Sequence, residues 1–443
     1  MPSLDRALAP MFPRTTGISP QGHLLLGGCD AVDLARRFGT PLYVFDEVEL
    51  RETMRAFRRA FEARYERVRT LYASKAYLAR WIAALALEEG LGFDAVSGGE
   101  IAVLRAAGVP GDAIDVHGNN KSEAELREAL AAGVRRIVVD NLHELELLDR
   151  LARAAGRRQP ILLRLSPGVD PHTHAKTTTG ILDSKFGIPI ATGDAEEAVR
   201  RALTSGGLEL MGLHCHLGSP VFETEPYERA NEVMLAFAAE ARARHGVELR
   251  EYSPGGGFAA QYVREQPAPP PEAYAEAIVS SLRRECARHA LPLPALTIEP
   301  GRALVARAGV ALYTVGAIKR VPGVRTFVSV DGGMADNVRP AMYGARYEAA
   351  LASRPAEGET EVVTIAGKYC ESGDLLAKDV SLPPLRAGDL IAMPAAGAYQ
   401  LAMASNYNMA LKPAVVLVRD GAARLVRRRE TYEDLLRADV WEG

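Results

Sequence analysis

Reactive side-chain types in this chain stand at the ends of short apolar runs. Lys75 closes Tyr72-Ala73-Ser74, and Glu299 ends an apolar run just before Pro300-Gly301-Arg302. Gly255-Gly256-Gly257 follows another run, and His214-Cys215-His216-Leu217-Gly218-Ser219 sets two imidazoles beside a hydroxyl. Glycines after a strand let backbone N–H groups approach an anion, as a phosphate site requires. A carboxylate on an apolar run is unfavourable to bury alone, so Glu299 should meet a cation or a protonated ring nitrogen. Each feature also has a plainer reading. Lys75 suits a solvated surface cation, the glycines a simple turn, and Glu299 an ion pair with Arg164. His216 is open to metal ligation, a core position or a flat stacking role. Metal is the least supported, because no carboxylate lies at ligand spacing nearby.

The elements that must position these residues form a repeating pattern. Between residues 69 and 299, short runs rich in branched residues alternate with helix-length amphipathic segments, as in βα units. The runs are Thr70 to Ser74, Leu91 to Val96, Ala113 to His117, Arg136 to Asp140, Ile161 to Ser166, Glu209 to His216, Leu249 to Ser253 and Leu296 to Glu299. Leu142, Leu145, Leu148 and Leu151 share one helical face, as do Leu78, Ile82 and Leu85. The interval after Ser166 is longer and holds a Thr-rich loop, Asp170 to Gly187, before a helix near Ala195 to Thr204. Eight such strands predict a (β/α)₈ barrel, with a doubly wound open sheet as the competing arrangement. In a barrel the C-terminal strand ends form the active site, which is where Lys75, His117, His216, the three glycines and Glu299 fall.

After Arg302 the texture changes to β-runs without long helices: Leu304 to Ile318, Thr326 to Asp331, Glu361 to Ala366, Leu390 to Met393 and Ala414 to Val418. Gly22 to Phe45 also reads as strand, and Glu47 to Arg64 as a helix leading into the barrel. The expected division is a barrel over 46–300 and a β-rich domain from 1–45 and 301–443.

Composition excludes several classes of function. With 443 residues, 48% of them hydrophobic and 25% charged, the chain is an ordinary globular one. A net charge of −3 supplies no field for nucleic acid or an anionic membrane, so small polar ligands are the expected partners. No run approaches a membrane span, and Met1 to Gln21 lacks the pattern of a secretory leader, which points to the cytoplasm. Cys29, Cys215, Cys286 and Cys370 are far apart, which indicates neither a disulfide framework nor a zinc cluster.

Taken together, the reactive residues suit pyridoxal 5′-phosphate (PLP). That cofactor needs an amine for its aldehyde, a carboxylate to keep its ring nitrogen protonated, a phosphate cradle and a flat group against its ring. Lys75, Glu299, the glycines with Ser219, and His216 would supply these in turn. A carboxylate at the ring nitrogen favours carbanion chemistry such as loss of CO₂.

The chain also resembles the fold-type III PLP enzymes, and among them most closely the diaminopimelate decarboxylases, over nearly all of residues 22–435. The resemblance rests on Tyr72-Ala73-Ser74-Lys75-Ala76, His117-Gly118-Asn119-Asn120-Lys121, Ser184-Lys185-Phe186-Gly187, His214 to Ser219, Gly255 to Phe258, Glu299 to Arg302, Cys370-Glu371-Ser372-Gly373-Asp374 and Ser405-Asn406-Tyr407-Asn408. It implies that Lys75 holds the cofactor, His216 stacks on its ring and Glu299 pairs with its nitrogen. Gly256, Gly257, Ser219 and the Gly301 to Arg302 backbone would hold the phosphate. Arg302, Arg339, Tyr343, Glu371 and Tyr399 fall to the substrate, with Tyr399 also touching the cofactor. Cys370 would return a proton after CO₂ departs. The resemblance further implies a homodimer in which Cys370 and Glu371 reach the neighbouring subunit's site.

A diacid substrate such as meso-diaminopimelate, yielding L-lysine, carries an ammonium and a carboxylate at its far end, which Glu371 and Arg339 would read. An ornithine or lysine decarboxylase meets only an ammonium there, and a structural pair with Asp336 is the plainer reading of Arg339. Two stretches depart from the family pattern: Gly367-Lys368-Tyr369 lacks a proline near the cysteine, and His174-Ala175-Lys176-Thr177-Thr178-Thr179-Gly180 lacks a tyrosine. They leave open a same-fold decarboxylase of carboxynorspermidine or of a carrier-bound amino acid. Glu299 disfavours an alanine-racemase-like activity, and Lys75 with Cys370 disfavours a non-catalytic regulatory homologue.

Overall fold

The structure is a computed structural model that describes residues 5–170, 178–181, 183–355 and 359–441. The chain forms two compact units, one of residues 53–259 and 268–303, the other of residues 1–52, 260–267 and 304–443. His174 to Thr177, where the Thr-rich loop departs from the family pattern, lie outside the described residues. No helix of the described residues is long and apolar enough to cross a membrane.

The first unit is built on eight parallel strands: β1 (Val68–Ala73), β2 (Gly92–Ala95), β3 (Ile114–Val116), β4 (Arg136–Val139), β5 (Gln159–Ser166), β6 (Leu208–His214), β7 (Glu251–Ser253) and β8 (Ala295–Ile298). Each pairs with the next and β8 pairs with β1, so the sheet closes into a barrel and the open-sheet alternative falls. Enclosure explains why the strands read as continuous apolar runs: β2, β3 and β7 are buried at every position. Three of the helices between the strands start at side-chain caps. Ser97 and Asn141 accept backbone N–H groups, and Ser122 forms a reciprocal box with Glu125. Leu145, Leu148 and Leu151 are buried together on Leu142–Ala154, and the helix after the long loop is Asp194–Thr204.

Strand β6 is irregular on one side and in close register on the other. It bulges against β5 between Leu210 and Gly212, and on its other side Gly212 pairs with Glu251 and His214 with Ser253 of β7. A Cβ at Gly212 would lie 1.7 Å from the Glu251 carbonyl oxygen, so only glycine permits this approach.

The second unit centres on Gly309–Val321, which pairs antiparallel with Leu42–Asp46, Leu390–Met393 and Arg325–Val330. Ala414–Arg419 runs parallel to Leu42–Asp46, and Glu361–Ala366 parallel to Arg325–Val330. Leu42, Val44, Val310, Leu312, Val416 and Val418 pack with Met11 and Phe12 in its core. Four features differ from the sequence expectation. Leu375–Leu382 and Ala422–Arg427 are strands whose Lys378, Asp379, Arg424 and Arg427 hide the pattern, and the second lies at the sheet edge with no buried residue. Within Gly22 to Phe45, Ala31–Phe38 is a helix, capped by Asp30 and packed through Leu34. Arg302–Val305 is a short helix, so the strand begins at Gly309.

Gly212→Ala should destabilise the barrel by about 3 kcal/mol or more, because backbone must move to admit the methyl. Thermal melts by circular dichroism check this against Gly99→Ala, a helical site with no close neighbour beyond the Ser97 hydroxyl, where the midpoint should not fall.

Candidate active site

The C-terminal ends of the strands bring the reactive residues of the first unit together. Glu299, just beyond β8, is 5% exposed. Its Oε2 lies 3.1 Å from His214 Nε2, its Oε1 accepts from Ser253 Oγ at 2.9 Å, and His117 Nε2 stands 3.7 Å from Oε1. Burial alone would raise its pKa, but the His214 imidazole and its hydrogen bond hold the carboxyl below its usual range. The ion pair with Arg164 is not formed: Arg164 instead faces Asp140 at 3.6 Å and stacks over the Phe186 ring. Burial pushes His117 well below the ordinary histidine range, so that ring is neutral.

His216 is neutral for the same reason, with Lys75 nearby adding to the effect of burial. Its Nδ1 accepts the Gly256 N–H at 3.2 Å, which places the ring proton on Nε2 and fixes the plane of the imidazole. Gly256 therefore turns its N–H to the plate. The Gly255 N–H is likewise taken, by Ser253 Oγ at 3.1 Å. Gly257 has φ +99, and a Cβ there would fall 2.3 Å from the Gly218 carbonyl oxygen. Ser219 Oγ is held by Arg302 Nε at 2.9 Å, and Gly301 opens directly onto the short helix Arg302–Val305.

Lys75 follows β1 and donates to Asp94 Oδ2 at 3.0 Å. Lys75, His117, Arg164, Phe186, His214, His216 and Glu299 share one cavity of about 410 Å³, within the range of ligand sites. Around it, Ser74 Oγ, Asp94 Oδ1, His117 Nε2 and His214 Nδ1 are buried without a hydrogen-bond partner among the described residues. Buried polar atoms in this state fit a site that receives a polar ligand. The amine, the ionised carboxylate, the neutral plate and the glycine turn all fit PLP. His117, His214 and Glu299 also stand close enough to hold a metal ion, but the amine and glycine turn beside them match an aldehyde bearing a phosphate. The His117 to Lys121 motif is partly architectural. Lys121 Nζ donates to Gly118 O and Val138 O at 2.8 Å and to Glu144 Oε1 at 2.7 Å, binding two loops together.

The remaining predicted residues lie in the second unit. Arg339 is 8% exposed and pairs with no carboxylate among the described residues, so the expected alternative pair with Asp336 is absent. Its Nε donates to Tyr347 Oη at 3.0 Å, and its guanidinium lies 5.4, 5.6 and 6.0 Å from the rings of Tyr343, Tyr399 and Tyr262. Tyr399 sits in the left-handed region at φ +59. Cys370 and Glu371 are exposed on a separate turn. Asp374 pins that turn by accepting the Met334 and Tyr369 N–H groups at 2.6 and 2.9 Å. A Cβ at Gly367 would meet the Asp374 carboxylate, and Lys368 and Tyr369 donate backbone N–H groups to Gly332 O and Asp374 Oδ2, bonds that a proline at either position could not make.

Sequence reasoning missed Asp94, Ser253, Tyr262 and Tyr347. Asp94 carried the signal used for Glu299, a carboxylate within an apolar run. Ser253 ended a predicted strand. The two tyrosines had no signal, because they lie 85 positions apart and meet only by folding (347 − 262).

Residues 47–306 match the family model of the pyridoxal-dependent decarboxylase pyridoxal-binding domain. The chain is 45% identical over 426 residues to a diaminopimelate decarboxylase of Bacillus subtilis, covering 96% of this chain and 97% of that protein. It is 46% identical over 441 residues to one of Actinosynnema pretiosum, covering 99% and 97%. A crystal structure of diaminopimelate decarboxylase from M. jannaschii in co-complex with L-lysine superposes with a TM-score of 0.91 at 34% identity, covering 97% of this chain and 98% of that one.

Gly257→Ala places a methyl against Gly218 and strains φ. PLP affinity, followed by absorbance titration of the apoprotein, should fall by about tenfold or more, as loss of one hydrogen bond to a charged group implies.

Proposed function

The chain belongs to the pyridoxal-dependent decarboxylases, and within them to the diaminopimelate decarboxylases; we propose that it releases CO₂ from meso-diaminopimelate to give L-lysine. The observation that carries the choice of substrate is the buried Arg339, a guanidinium caged by tyrosines and paired with no carboxylate among the described residues. Such a charge calls for an anionic ligand, and a substrate with a distal carboxylate provides one. A lysine or ornithine side chain does not.

When bound, PLP supplies the electron sink for the carbanion left by CO₂. The chain's own residues do the rest. Lys75 would offer the amine that anchors the cofactor, with Asp94 orienting its Nζ. Glu299, already ionised and held by His214 and Ser253, would pair with the ring nitrogen and favour its protonated form. His216, neutral and fixed by Gly256, is the flat plate. Ser219, Gly257 and the Gly301 to Arg302 backbone would hold the phosphate, while Gly256 would act mainly through the plate. Arg302, Arg339, Tyr343, Tyr399 and Glu371 orient the substrate, and the Cys370 thiol returns the proton to Cα. Because Cys370 and Glu371 are exposed on their own chain, these last roles belong to a homodimer in which each subunit completes the other's site. A cytoplasmic location fits a free amino-acid substrate.

The deciding experiment measures CO₂ release by the PLP-loaded protein from meso-diaminopimelate beside L-lysine, L-ornithine, L-glutamate and carboxynorspermidine. Release from diaminopimelate alone, with lysine as product, is expected; release from a diamine precursor instead would overturn the substrate assignment. Arg339→Gln should lower kcat/KM for diaminopimelate by about 30-fold or more while PLP absorbance is retained, the magnitude expected for losing one side of a buried charged contact. Lys75→Ala should lose the visible absorbance of the lysine-linked cofactor, and full activity in that variant would sink the central role.

A further inference from the structure

The Ser405-Asn406-Tyr407-Asn408 motif has no part in the function as described so far, yet it lies against the Cys370–Glu371 turn. Tyr407 Oη donates to Glu371 Oε1 at 2.7 Å, and the next residue, Asn408, accepts the Cys370 N–H on its Oδ1 at 3.1 Å. Consecutive residues of one segment thus hold consecutive residues of the other. The segment itself is fixed at both ends. Ser405 N donates to Ala335 O at 2.8 Å, and Asn406 Nδ2 donates to Ala410 O at 2.9 Å and to Glu430 at 2.6 Å. The Tyr407 ring meets Tyr369 edge to face at 6.3 Å. Asn408 adopts φ +50, a left-handed conformation that asparagine tolerates better than other side-chain-bearing residues, and this turns its amide toward Cys370.

We propose that Tyr407 and Asn408 are positioning residues: Tyr407 orients Glu371 as the reader of the substrate's distal ammonium, and Asn408 sets the backbone that presents the Cys370 thiol. This inference rests on the roles given above to Glu371 and Cys370. The Tyr407 hydroxyl binds one carboxylate oxygen and leaves the other for the ammonium. It remains a donor, because the bond to Glu371 holds its proton in place. A charge-assisted bond of this kind restricts a surface carboxylate that would otherwise sample several rotamers.

The test compares kcat/KM for meso-diaminopimelate with that for 2-aminopimelate, which lacks the distal amine. Tyr407→Phe keeps the ring and removes the donor. The ratio should fall about tenfold, the weight of one hydrogen bond to a charged group, mainly through KM for diaminopimelate. Glu371→Gln should lower it at least as far, and the double variant no further than Glu371→Gln alone. Asn408→Gly, which keeps the left-handed turn, should lower kcat about tenfold with KM little changed, and Asn408→Asp, which keeps an acceptor, should recover it.

An unchanged ratio in Tyr407→Phe beside a collapsed ratio in Glu371→Gln overturns the role of Tyr407 and leaves that of Glu371 standing. An unchanged ratio in Glu371→Gln removes the reading of Glu371 itself, and the role of Tyr407 with it. Unchanged kcat in Asn408→Gly overturns the role of Asn408. Visible absorbance of bound cofactor should be the same in every variant, and its loss would show a general structural role and overturn the proposal.

Discussion

The barrel unit is organised by the need to keep an ionised carboxylate inside it. Burying an uncompensated Glu299 would be strongly unfavourable, so the surrounding strand ends must offer donors. His214 and Ser253 do so from adjacent strands, and they lie side by side because β6 and β7 pair in step from Gly212–Glu251 to His214–Ser253, a close approach that only glycine at 212 permits. A single glycine deep in the barrel and the charge state of a carboxylate at its mouth are therefore parts of one arrangement. The same low-polarity surroundings keep His117 and His216 neutral, which reserves the local positive charge for Lys75 and the guanidinium of Arg164.

The second unit shows the opposite strategy toward a buried charge. Arg339 is surrounded by aromatic faces and one phenolic oxygen, which tolerate a guanidinium without neutralising it. A carboxylate partner within the fold would have occupied the guanidinium before any ligand arrived. Glu299 is satisfied within the fold, whereas among the described residues Arg339 meets no carboxylate. Preorganisation and incompleteness are both built from buried charge, and the difference lies in whether the fold supplies the partner.

Exposed functional groups need another kind of support. Cys370 and Glu371 lie on a turn with little packing, so their placement depends on hydrogen bonds. Asp374 ties the turn to the backbone of Met334 and Tyr369, while Tyr407 and Asn408 hold its reactive residues. The motif around Cys370 thus mixes residues of distinct kinds: Cys370 and Glu371 are exposed, and Asp374 holds the turn that carries them.

Strand order, barrel closure and most of the residues at the barrel mouth were legible in the amino-acid sequence, because enclosed parallel strands leave continuous apolar runs and reactive side chains cluster at their ends. Lys75, His216 and Glu299 stood out on that ground alone. Less visible were the charged strand Leu375–Leu382, the edge strand Ala422–Arg427 and the short helix Ala31–Phe38, where exposure of one face or brevity blurs the periodic signal. Local sequence determined which residues carry reactive groups and which element each belongs to. Tertiary structure decided the partners: His214 rather than Arg164 beside Glu299, four tyrosines rather than Asp336 around Arg339, and a glycine N–H spent on His216. The physical reason is that a side chain's element is set by near neighbours in the chain, whereas its charge state and hydrogen bonds are set by groups that only the closed fold brings within reach.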